Sequence, residues 1–262
     1  MLVNGATRLH VIVGDPIAQV RSPAGMTEAL TARGRNAVVV PIHVSTDDLA
    51  GFLAGMDRVR NLDGIIVTVP HKFACYRHCT EASDRAHFLR AVNILRRTPD
   101  GGWRGEMFDG MGFVGAIRKG GCRPEGLRAL LVGAGGAASA IGLELLANGV
   151  RELAVHDIDA GRRDTLIRRL AETGKAPVLA GSADPSGFDL IANATPAGMQ
   201  PGDPLPVQVR HLAPHMFVGC VITAPAVSPL IEAARRVGCA TSVGGEMYAA
   251  EQGLMLEFLL GA

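Results

Sequence analysis

The sequence is poor in aromatic and charged side chains, which make up 4% and 19% of its 262 residues. So few aromatic rings offer little for stacking on nucleic-acid bases. A formal net charge of +1 provides no basic surface for DNA, RNA or an acidic membrane. The chain also lacks an apolar run long enough for a membrane span or a secretory signal. We therefore expect no nucleic-acid partner and no membrane partner, and a small molecule as the ligand.

Cysteine is scarce as well, with five residues and no Cys-x-x-Cys spacing. An odd number of cysteines in a chain of this size does not indicate a disulfide framework, and reduced thiols in the cytoplasm are expected instead. Apolar residues are abundant at 48%, enough to bury a core. The length fits one large domain or two modest ones.

Short apolar runs alternate with helical patterns along nearly the whole chain, which is typical of an α/β protein with mainly parallel sheets. The predicted strands are residues 9–13, 37–41, 64–69, 91–95, 103–107, 129–132, 152–156, 189–192 and 217–222. The predicted helices are residues 22–32, 46–55, a short one through 76, 83–89, 109–119, 137–147, 161–173, 229–237 and 247–260. Ser22 and Pro23 are interpreted as the N-cap and first residue of the first helix.

A glycine-rich turn lies between the strand at 129–132 and the next helix. Gly133, Gly135 and Ala138 match the G-x-G-x-x-[G/A] pattern, in which the first glycine permits a tight turn and the second lets the backbone approach a pyrophosphate. Asp157 ends the next strand, about 20 residues further on, where an acidic residue can bind a ribose. The backbone N–H groups expected to face the pyrophosphate belong to Gly135, Gly136 and Ala137. The pattern predicts dinucleotide binding, and a tight turn that binds nothing is the alternative.

The type of dinucleotide depends on Asp157. Its carboxylate can accept hydrogen bonds from the ribose hydroxyls and would repel a 2′-phosphate, which favours NAD over NADP. Arg162 and Arg163 lie close enough in sequence to reach a 2′-phosphate, so NADP is the second choice.

The chain is therefore predicted to contain two αβ domains. Residues 109–238 would form a dinucleotide-binding domain of Rossmann type. Residues 1–108 and 239–262 would form a substrate and catalytic domain with a mainly parallel sheet, to which the C-terminal helix returns.

A second group of motifs surrounds Lys72, which follows a strand ending at Thr68 and opens a helix. An amine there can act as a general acid or base or contact an anion, although an ordinary surface lysine is the alternative. The motifs are Gly14-Asp15-Pro16-Ile17, Ser22-Pro23, Val67-Thr68-Val69-Pro70-His71-Lys72, Ala91-Val92-Asn93, Asp109-Gly110-x-Gly112-Phe113 and Asn193-Ala194-Thr195-Pro196-x-Gly198-Met199. These motifs and the glycine-rich turn follow one another in the order found in one family. On this basis the chain resembles the shikimate/quinate dehydrogenase family.

The resemblance implies an NAD(P)-dependent alcohol dehydrogenase that interconverts a ring hydroxyl and a ketone by hydride transfer. Lys72 matches the family's catalytic lysine and Asp109 its partner, and the pair would move the hydroxyl proton. Which of the two holds the proton is left open. Thr68 and Asn93 match contacts to substrate hydroxyls, and Ser22 matches one of two serines that hold the substrate carboxylate. The loop under the nicotinamide is matched by Asn193, Ala194, Thr195 and Pro196.

Several substrate-recognition positions depart from the family pattern. Val20 replaces a serine, Ile66 an asparagine, and Thr223 a tyrosine, and Met107-Phe108 stands where the family has Asn-Thr. The family's glutamine falls on Glu251, with Gln252 one residue later, and a carboxylate there would repel the substrate carboxylate. We expect shikimate and quinate to be poor substrates and a related cyclic hydroxy acid or polyol to be preferred.

Two other functions are compatible with the sequence. A catalytically weak NAD-binding ligand sensor or scaffold would explain the lost recognition residues, and a folate-linked dehydrogenase has a similar architecture.

No metal is expected, because one straight helix carrying His71, Cys75, His78 and Cys79 cannot surround a tetrahedral ion. The chain would be a monomer or a homodimer.

Overall fold

A computed structural model describes residues 3–261. Within them the chain forms twelve β-strands, nine α-helices and one short 3-10 helix. The strands are β1 (Arg8–Gly14), β2 (Ala37–His43), β3 (Leu62–Val67), β4 (Glu81–Ala82), β5 (Ile94–Arg97), β6 (Trp103–Glu106), β7 (Arg128–Val132), β8 (Glu152–His156), β9 (Val178–Ala180), β10 (Leu190–Asn193), β11 (Phe217–Cys220) and β12 (Ala240–Ser242). The α-helices are α1 (Ser22–Ala32), α2 (Leu49–Met56), α3 (Lys72–His78), α4 (Asp84–Leu89), α5 (Asp109–Lys119), α6 (Gly136–Ala147), α7 (Ala160–Ala171), α8 (Pro229–Val237) and α9 (Gly244–Leu260). The 3-10 helix is Val209–His211.

The chain divides into two compact units, each with its own six-stranded sheet. The first unit ends at Phe108 and resumes at Gln252, and the second unit is Asp109–Glu251. This α/β architecture, with a C-terminal helix whose last turns return to the first unit, confirms the predicted fold class. Residues 239–251 belong to the second unit, so the return is shorter than the sequence analysis expects.

The first unit has the strand order β2-β1-β3-β5-β6-β4. Strands β1, β2 and β3 are parallel, whereas β5 runs antiparallel to β3 and β6. Alternate residues of a strand face opposite sides of a sheet. Accordingly Ile65 and Val67 pack under α2 to α4, whereas Ile66 packs in the opposite core with α1 and the end of α9. Both faces of this sheet are therefore covered by helices.

The second unit has the strand order β12-β11-β10-β7-β8-β9, and every neighbouring pair is parallel. When β7 is numbered as the first strand, this order is the 3-2-1-4-5-6 order of a Rossmann sheet read from the β9 side. The direction of winding reverses between β7 and β10, which are neighbours in the sheet. In open parallel sheets, ligands bind outside the carboxyl ends of the strands at such a switch point.

Helices also lie on both faces of the second sheet. Leu130, Ile191 and Val218 pack with α8 on one face. On the other face α6 approaches closely, since a Cβ at Gly142 would lie 2.6 Å from Leu170 and 3.1 Å from Leu131. The residue type at position 142 therefore sets how near α6 can come to the sheet.

Three short strands were not predicted from the sequence: β4, β9 and β12. Each is an outer strand of its sheet, where one side has no neighbouring strand and little apolar pattern is required. The first helix also differs from expectation, because Arg21 is its N-cap without a side-chain cap bond and Ser22 lies inside it. The second helix begins at Leu49, later than predicted, and the last begins at Gly244, earlier than predicted. Among the helices of residues 3–261, none is both long and apolar enough to cross a bilayer.

Candidate active site

In the first unit, the predicted substrate residue Thr68 follows β3 at one edge of the sheet. Parallel strands β1 and β3 both end there, and the loops after them are joined by hydrogen bonds from Thr68 N–H to the Val13 carbonyl (3.0 Å) and from Asp15 N–H to the Val69 carbonyl (2.9 Å). A Cβ at Gly14 would collide with Thr68. This close approach explains why the Gly14-Asp15-Pro16 motif carries glycine. The two hydrogen bonds hold Thr68 beside the end of β1.

Lys72 is the first residue of α3, and its backbone is fixed on both sides. Its carbonyl accepts a hydrogen bond from Val92 N–H at 3.1 Å. The preceding residue, His71, is buried, and its Nε2 lies 2.8 Å from the Val44 carbonyl. A carbonyl only accepts hydrogen bonds, so Nε2 carries the ring proton. The half-buried Lys72 thus projects from a firmly anchored helix start.

Asn93 is almost completely buried, at 1% exposed. Its carbonyl accepts from Val67 N–H at 2.7 Å, and its side-chain Oδ1 accepts from Phe108 N–H at 3.0 Å. Asn93 therefore ties the end of β3 to the residue that immediately precedes Asp109. The side chain that the family resemblance connects with substrate also organises the chain around it.

Asp109 is buried at the start of α5, and the two glycines that follow it have packing roles. A Cβ at Gly110 would collide with the Ala140 carbonyl of α6. A Cβ at Gly112 would lie 2.8 Å from the Cβ of Glu251 on α9. The Asp-Gly-x-Gly motif thus lets α5 pack tightly against α6 and α9 within the second unit.

The remaining predicted substrate residues are divided between the units. Ser22 is buried in the first unit, where half-buried Gln252 also lies. Glu251 is buried in the second unit, at 8% exposed.

The glycine-rich turn has the geometry that its sequence predicts. Gly133 has a φ of +111°, which favours glycine, and a Cβ there would lie 3.1 Å from the Ala194 carbonyl group. Gly135 is the N-cap of α6, and no side chain caps that helix end. A Cβ at Gly135 would meet nothing within 4 Å. An open space therefore faces the positive end of α6, as a pyrophosphate requires.

Asp157 is fixed beside this turn by two backbone donors. Ala134 N–H donates to Oδ2 at 2.7 Å, and Asp159 N–H donates to Oδ1 at 2.8 Å. Arg162 lies at the start of α7 with its Nε 3.4 Å from Asp159, and Arg163 pairs with Asp164 at 2.8 Å. Both arginines that could reach a 2′-phosphate are thus already paired with carboxylates.

The loop after β10 is folded by the side chain of Asn193, which is fully buried. Its Oδ1 accepts from both the N–H (3.1 Å) and the Oγ1 (2.7 Å) of Thr195, and its amide donates to the Cys220 sulfur at 3.3 Å. Asn193 thereby positions Ala194, Thr195 and half-buried Pro196 beside Gly133.

Sequence reasoning missed three residues of this unit. Cys220 accepts hydrogen bonds from Asn193 and from Ser228, at 3.3 and 3.4 Å. Ser228 was detectable as a serine before a proline that opens a helix, whereas nothing in the sequence singles out Cys220. Ile158 is completely exposed directly after Asp157, and an isoleucine in an otherwise polar turn was the available signal.

The histidines and cysteines on and beside α3 are His71, Cys75, His78 and Cys79, and each has a different environment. Burial raises the pKa of both Cys75 and Cys79 to about 12, so their thiols stay protonated near neutral pH. His78 bonds to Asp57, and His71 to a backbone carbonyl. Over the described range, 3–261, no three His, Cys, Asp or Glu side chains are grouped closely enough to hold a metal ion.

Comparison with known proteins connects this geometry to one family. Residues 12–95 match the model described as the shikimate dehydrogenase substrate binding domain. The shikimate dehydrogenase (NADP(+)) of Rubrobacter xylanophilus is 35% identical over 257 residues, covering 96% of this chain and 90% of that protein.

Two similar solved structures carry other activities in their names. Quinate dehydrogenase from Corynebacterium glutamicum, in complex with NAD, is 27% identical with a TM-score of 0.85, covering 98% of this chain and 94% of that one. The ligand-free 5-ketofructose reductase of Gluconobacter sp. strain CHM43 is 27% identical with a TM-score of 0.82, and the coverage is again 98% and 94%.

The open space at Gly135 leads to a testable prediction. Gly135→Ala should leave the melting temperature unchanged, because the new methyl group meets no protein atom and the backbone at φ −83° suits alanine. It should weaken dinucleotide binding at least tenfold, since the methyl group would occupy the place of the pyrophosphate. The measurement is a fluorescence titration with NADH and with NADPH.

The matched control is Gly51→Ala on α2, which likewise meets nothing within 4 Å. It should not change dinucleotide affinity. Equal affinity in Gly135→Ala and the wild type would show that the turn does not hold the nucleotide.

Proposed function

Because the chain belongs to the shikimate dehydrogenase family, we propose that it oxidises a ring hydroxyl of a cyclic hydroxy acid or polyol, with Lys72 and Asp109 as the acid/base pair. Membership makes the protein a nicotinamide-dinucleotide-dependent oxidoreductase of CH–OH groups. The resemblance in the sequence is thereby confirmed.

Support for the acid/base pair comes chiefly from the anchoring of Lys72. Helix α3 begins at the sheet edge that also holds Thr68. The Lys72 carbonyl accepts a hydrogen bond from the N–H of Val92, the residue that precedes Asn93. Asn93 in turn holds the N–H of Phe108, the neighbour of Asp109. An amine and a carboxyl group supplied in this way can exchange the proton of a substrate hydroxyl. The nicotinamide, when bound, supplies the hydride acceptor.

We propose NAD rather than NADP as the dinucleotide. The Asp157 carboxylate is fixed just after β8 by two backbone donors. Arg162 and Arg163 pair with carboxylates of their own. A 2′-phosphate would therefore meet the Asp157 carboxylate, whereas ribose hydroxyls can donate to it. The exposed Ile158 offers an apolar surface for the adenine ring.

The curated relatives favour NADP, the second choice of the sequence-based prediction. The Rubrobacter xylanophilus relative is named for NADP(+), and the Corynebacterium glutamicum structure contains NAD. The charges around Asp157, rather than the relatives' names, carry the proposal.

The proposed change of substrate is supported by where the departing residues lie. Ile66 is a core residue of the first unit at 2% exposed, and Val20 and Phe108 pack against the same core. Met107 is fully buried. Apolar side chains at these positions provide none of the hydrogen bonds that the family pattern supplies there. Loss of buried polar contacts changes substrate preference by large factors.

The acid/base proposal is tested by Lys72→Ala. Loss of a positioned general acid or base should reduce kcat by about 10²–10⁴ while dinucleotide affinity stays unchanged. Activity is followed as NADH absorbance with shikimate, quinate, cyclic polyols and, in reverse, 5-ketofructose. Lys175→Ala, an exposed lysine in the second unit, is the control.

A kcat of Lys72→Ala within threefold of the wild type would contradict the proposed role. If the wild type binds NAD and turns over no compound of the panel, the sensor reading replaces the enzyme proposal.

The dinucleotide proposal predicts a higher kcat/KM with NAD than with NADP. Asp157→Ser should reduce this ratio by about 10- to 100-fold, because hydrogen bonds to a charged group contribute about 1.5–3 kcal/mol. Asp47→Ser, an exposed aspartate of the first unit, should leave the ratio unchanged. A wild type that prefers NADP would refute this part of the proposal.

The substrate proposal is tested at Glu251. Glu251→Gln should raise kcat/KM for carboxylate substrates about tenfold relative to uncharged polyols, since about 1.4 kcal/mol of like-charge repulsion would be removed. Glu257→Gln, an exposed residue of the same helix, serves as the matched control. Parallel changes for acids and polyols would show that Glu251 does not face the substrate carboxylate.

A further inference from the structure

A cavity of about 520 Å³ lies in the first unit, away from the edge described above. Its walls include Arg8 and His10 from the amino end of β1, and Arg96 from the carboxyl end of the antiparallel β5. The candidate substrate residues lie at the other end of β1, beyond Gly14. Six residues of a strand span about 20 Å, which separates the two places.

His10 is a buried polar group with an unused hydrogen-bonding atom. The residue is 3% exposed, and its Nδ1 has no hydrogen-bond partner among the described residues. Burial, which outweighs the opposing effect of Asp63, lowers the pKa of His10, so the ring is neutral near pH 7. A buried polar atom without a partner is costly and rare in folded proteins. His10 therefore lines the cavity with a neutral ring whose Nδ1 faces Gly64, so its ring signal can report on a ligand bound there.

Strand register brings His10 and Arg96 to the same face of the sheet. His10 is paired with Gly64 on β3, and Gly64 is paired with Arg96 on β5. Directly opposed residues of neighbouring strands point to the same side. A Cβ at Gly64 would lie 2.7 Å from His10 Nδ1 and would collide with Leu259. Glycine at position 64 therefore leaves the histidine and Leu259 room to line the cavity.

Positive charge exceeds negative charge around this cavity. Arg8 pairs with Asp63, with its Nε 2.9 Å from the carboxylate. The exposed Arg35 and the half-buried Arg96 have no ion pair with any described residue. Two guanidinium groups thus remain after the Arg8 pair is counted. Such groups bind carboxylates and phosphates in a bidentate manner.

Arg97 also lines the cavity but is committed elsewhere. Its guanidinium donates to backbone carbonyls, including those of Met56 and Val59, and lies 4.1 Å from the ring centroid of Trp103. The Arg97 guanidinium is therefore not available to a ligand.

Part of the cavity wall is apolar. Leu30, Leu259 and Leu260 line it, and Arg96 itself lies over the Phe258 ring at 5.4 Å from its centroid. An inorganic ion would leave this surface uncovered. A ligand with one anionic end and one apolar end would use both parts of the wall.

We propose that this cavity is a second ligand site, which binds a small organic anion through Arg96 and Arg35 and places its apolar part against Leu30 and Leu259. The ligand class is a carboxylate or phosphate monoester carrying a compact ring or short hydrocarbon chain. The volume suits such a molecule, since pockets for small ligands measure about 300–1,000 Å³. This inference is independent of the proposed substrate chemistry.

The experiment uses benzoate as the probe and benzamide as its uncharged analogue. Protein with ¹³C-labelled histidine is titrated with each compound, and the ring signal of His10 is identified among the eight histidines by its loss in His10→Gln. Benzoate should shift the His10 signal in a saturable way, and benzamide should not. Phenyl phosphate should compete with benzoate.

Variants then locate the bound anion. Arg96→Gln should raise the dissociation constant for benzoate about tenfold or more, as expected for loss of a charged hydrogen-bond donor. Arg35→Gln, at an exposed position that does not threaten folding, should raise it about threefold. Arg151→Gln, at an exposed position of the second unit, should have no effect.

Ser22→Ala separates this site from the proposed substrate site. The His10 response to benzoate should be the same in Ser22→Ala and in the wild type. A response that Ser22→Ala removes and Arg96→Gln retains would place the anion at the substrate site and overturn the inference. A failure of benzoate to shift His10, or an equal response to benzamide, would also overturn it.

Discussion

Hydrogen bonds that continue the parallel ladders past the ends of the strands position the candidate groups in both units. In the second unit, Gly133 N–H bonds to the His156 carbonyl at 2.7 Å, and Ala194 N–H bonds to the Val132 carbonyl at 2.8 Å. In the first unit, Thr68 N–H bonds in the same way to the Val13 carbonyl. Loops normally move more than the strands they connect. Here the loop residues of the candidate site are joined to the neighbouring strand ends by hydrogen bonds of the ladder type.

This constraint explains the distribution of glycine around the candidate site. A backbone held this tightly leaves no room for side chains where two loops meet, as at Gly14 beside Thr68 and at Gly133 beside Ala194. Gly135 is different, because the space beside it is open. The same residue type thus permits close packing at two positions and borders open space at the third.

Much of this organisation was predictable from the sequence because it depends on local patterns. The turn at Gly133, the helix after it and Asp157 follow from a known backbone geometry, and the alternation of strands and helices predicted the α/β class. The short strand β12 was not predictable, since an outer strand needs little apolar pattern. The N-cap of α1 was predicted one residue too late. A serine before a proline is typical of an N-cap, which pointed to Ser22, whereas the backbone makes Arg21 the N-cap.

The contacts that sequence reasoning could not find join residues that are far apart in the chain. Asn93 was connected with the site through the family motif, but its bond to Phe108 joins residues 15 positions apart. Cys220 supports Asn193 from a separation of 27 residues, and the pairing of His10 with Gly64 and Arg96 depends on strand register. No local pattern encodes such contacts. They become visible only when the sheet order is known.

Direct hydride transfer from a substrate carbon to a nicotinamide bound at the second unit underlies the proposed function. It is tested most directly with a cyclic alcohol that carries deuterium on its carbinol carbon, oxidised in ordinary water with NAD. Every molecule of NADH formed should carry one deuterium at C4 of the nicotinamide, on one face of the ring. NADH without deuterium, or deuterium released into the water, would contradict it.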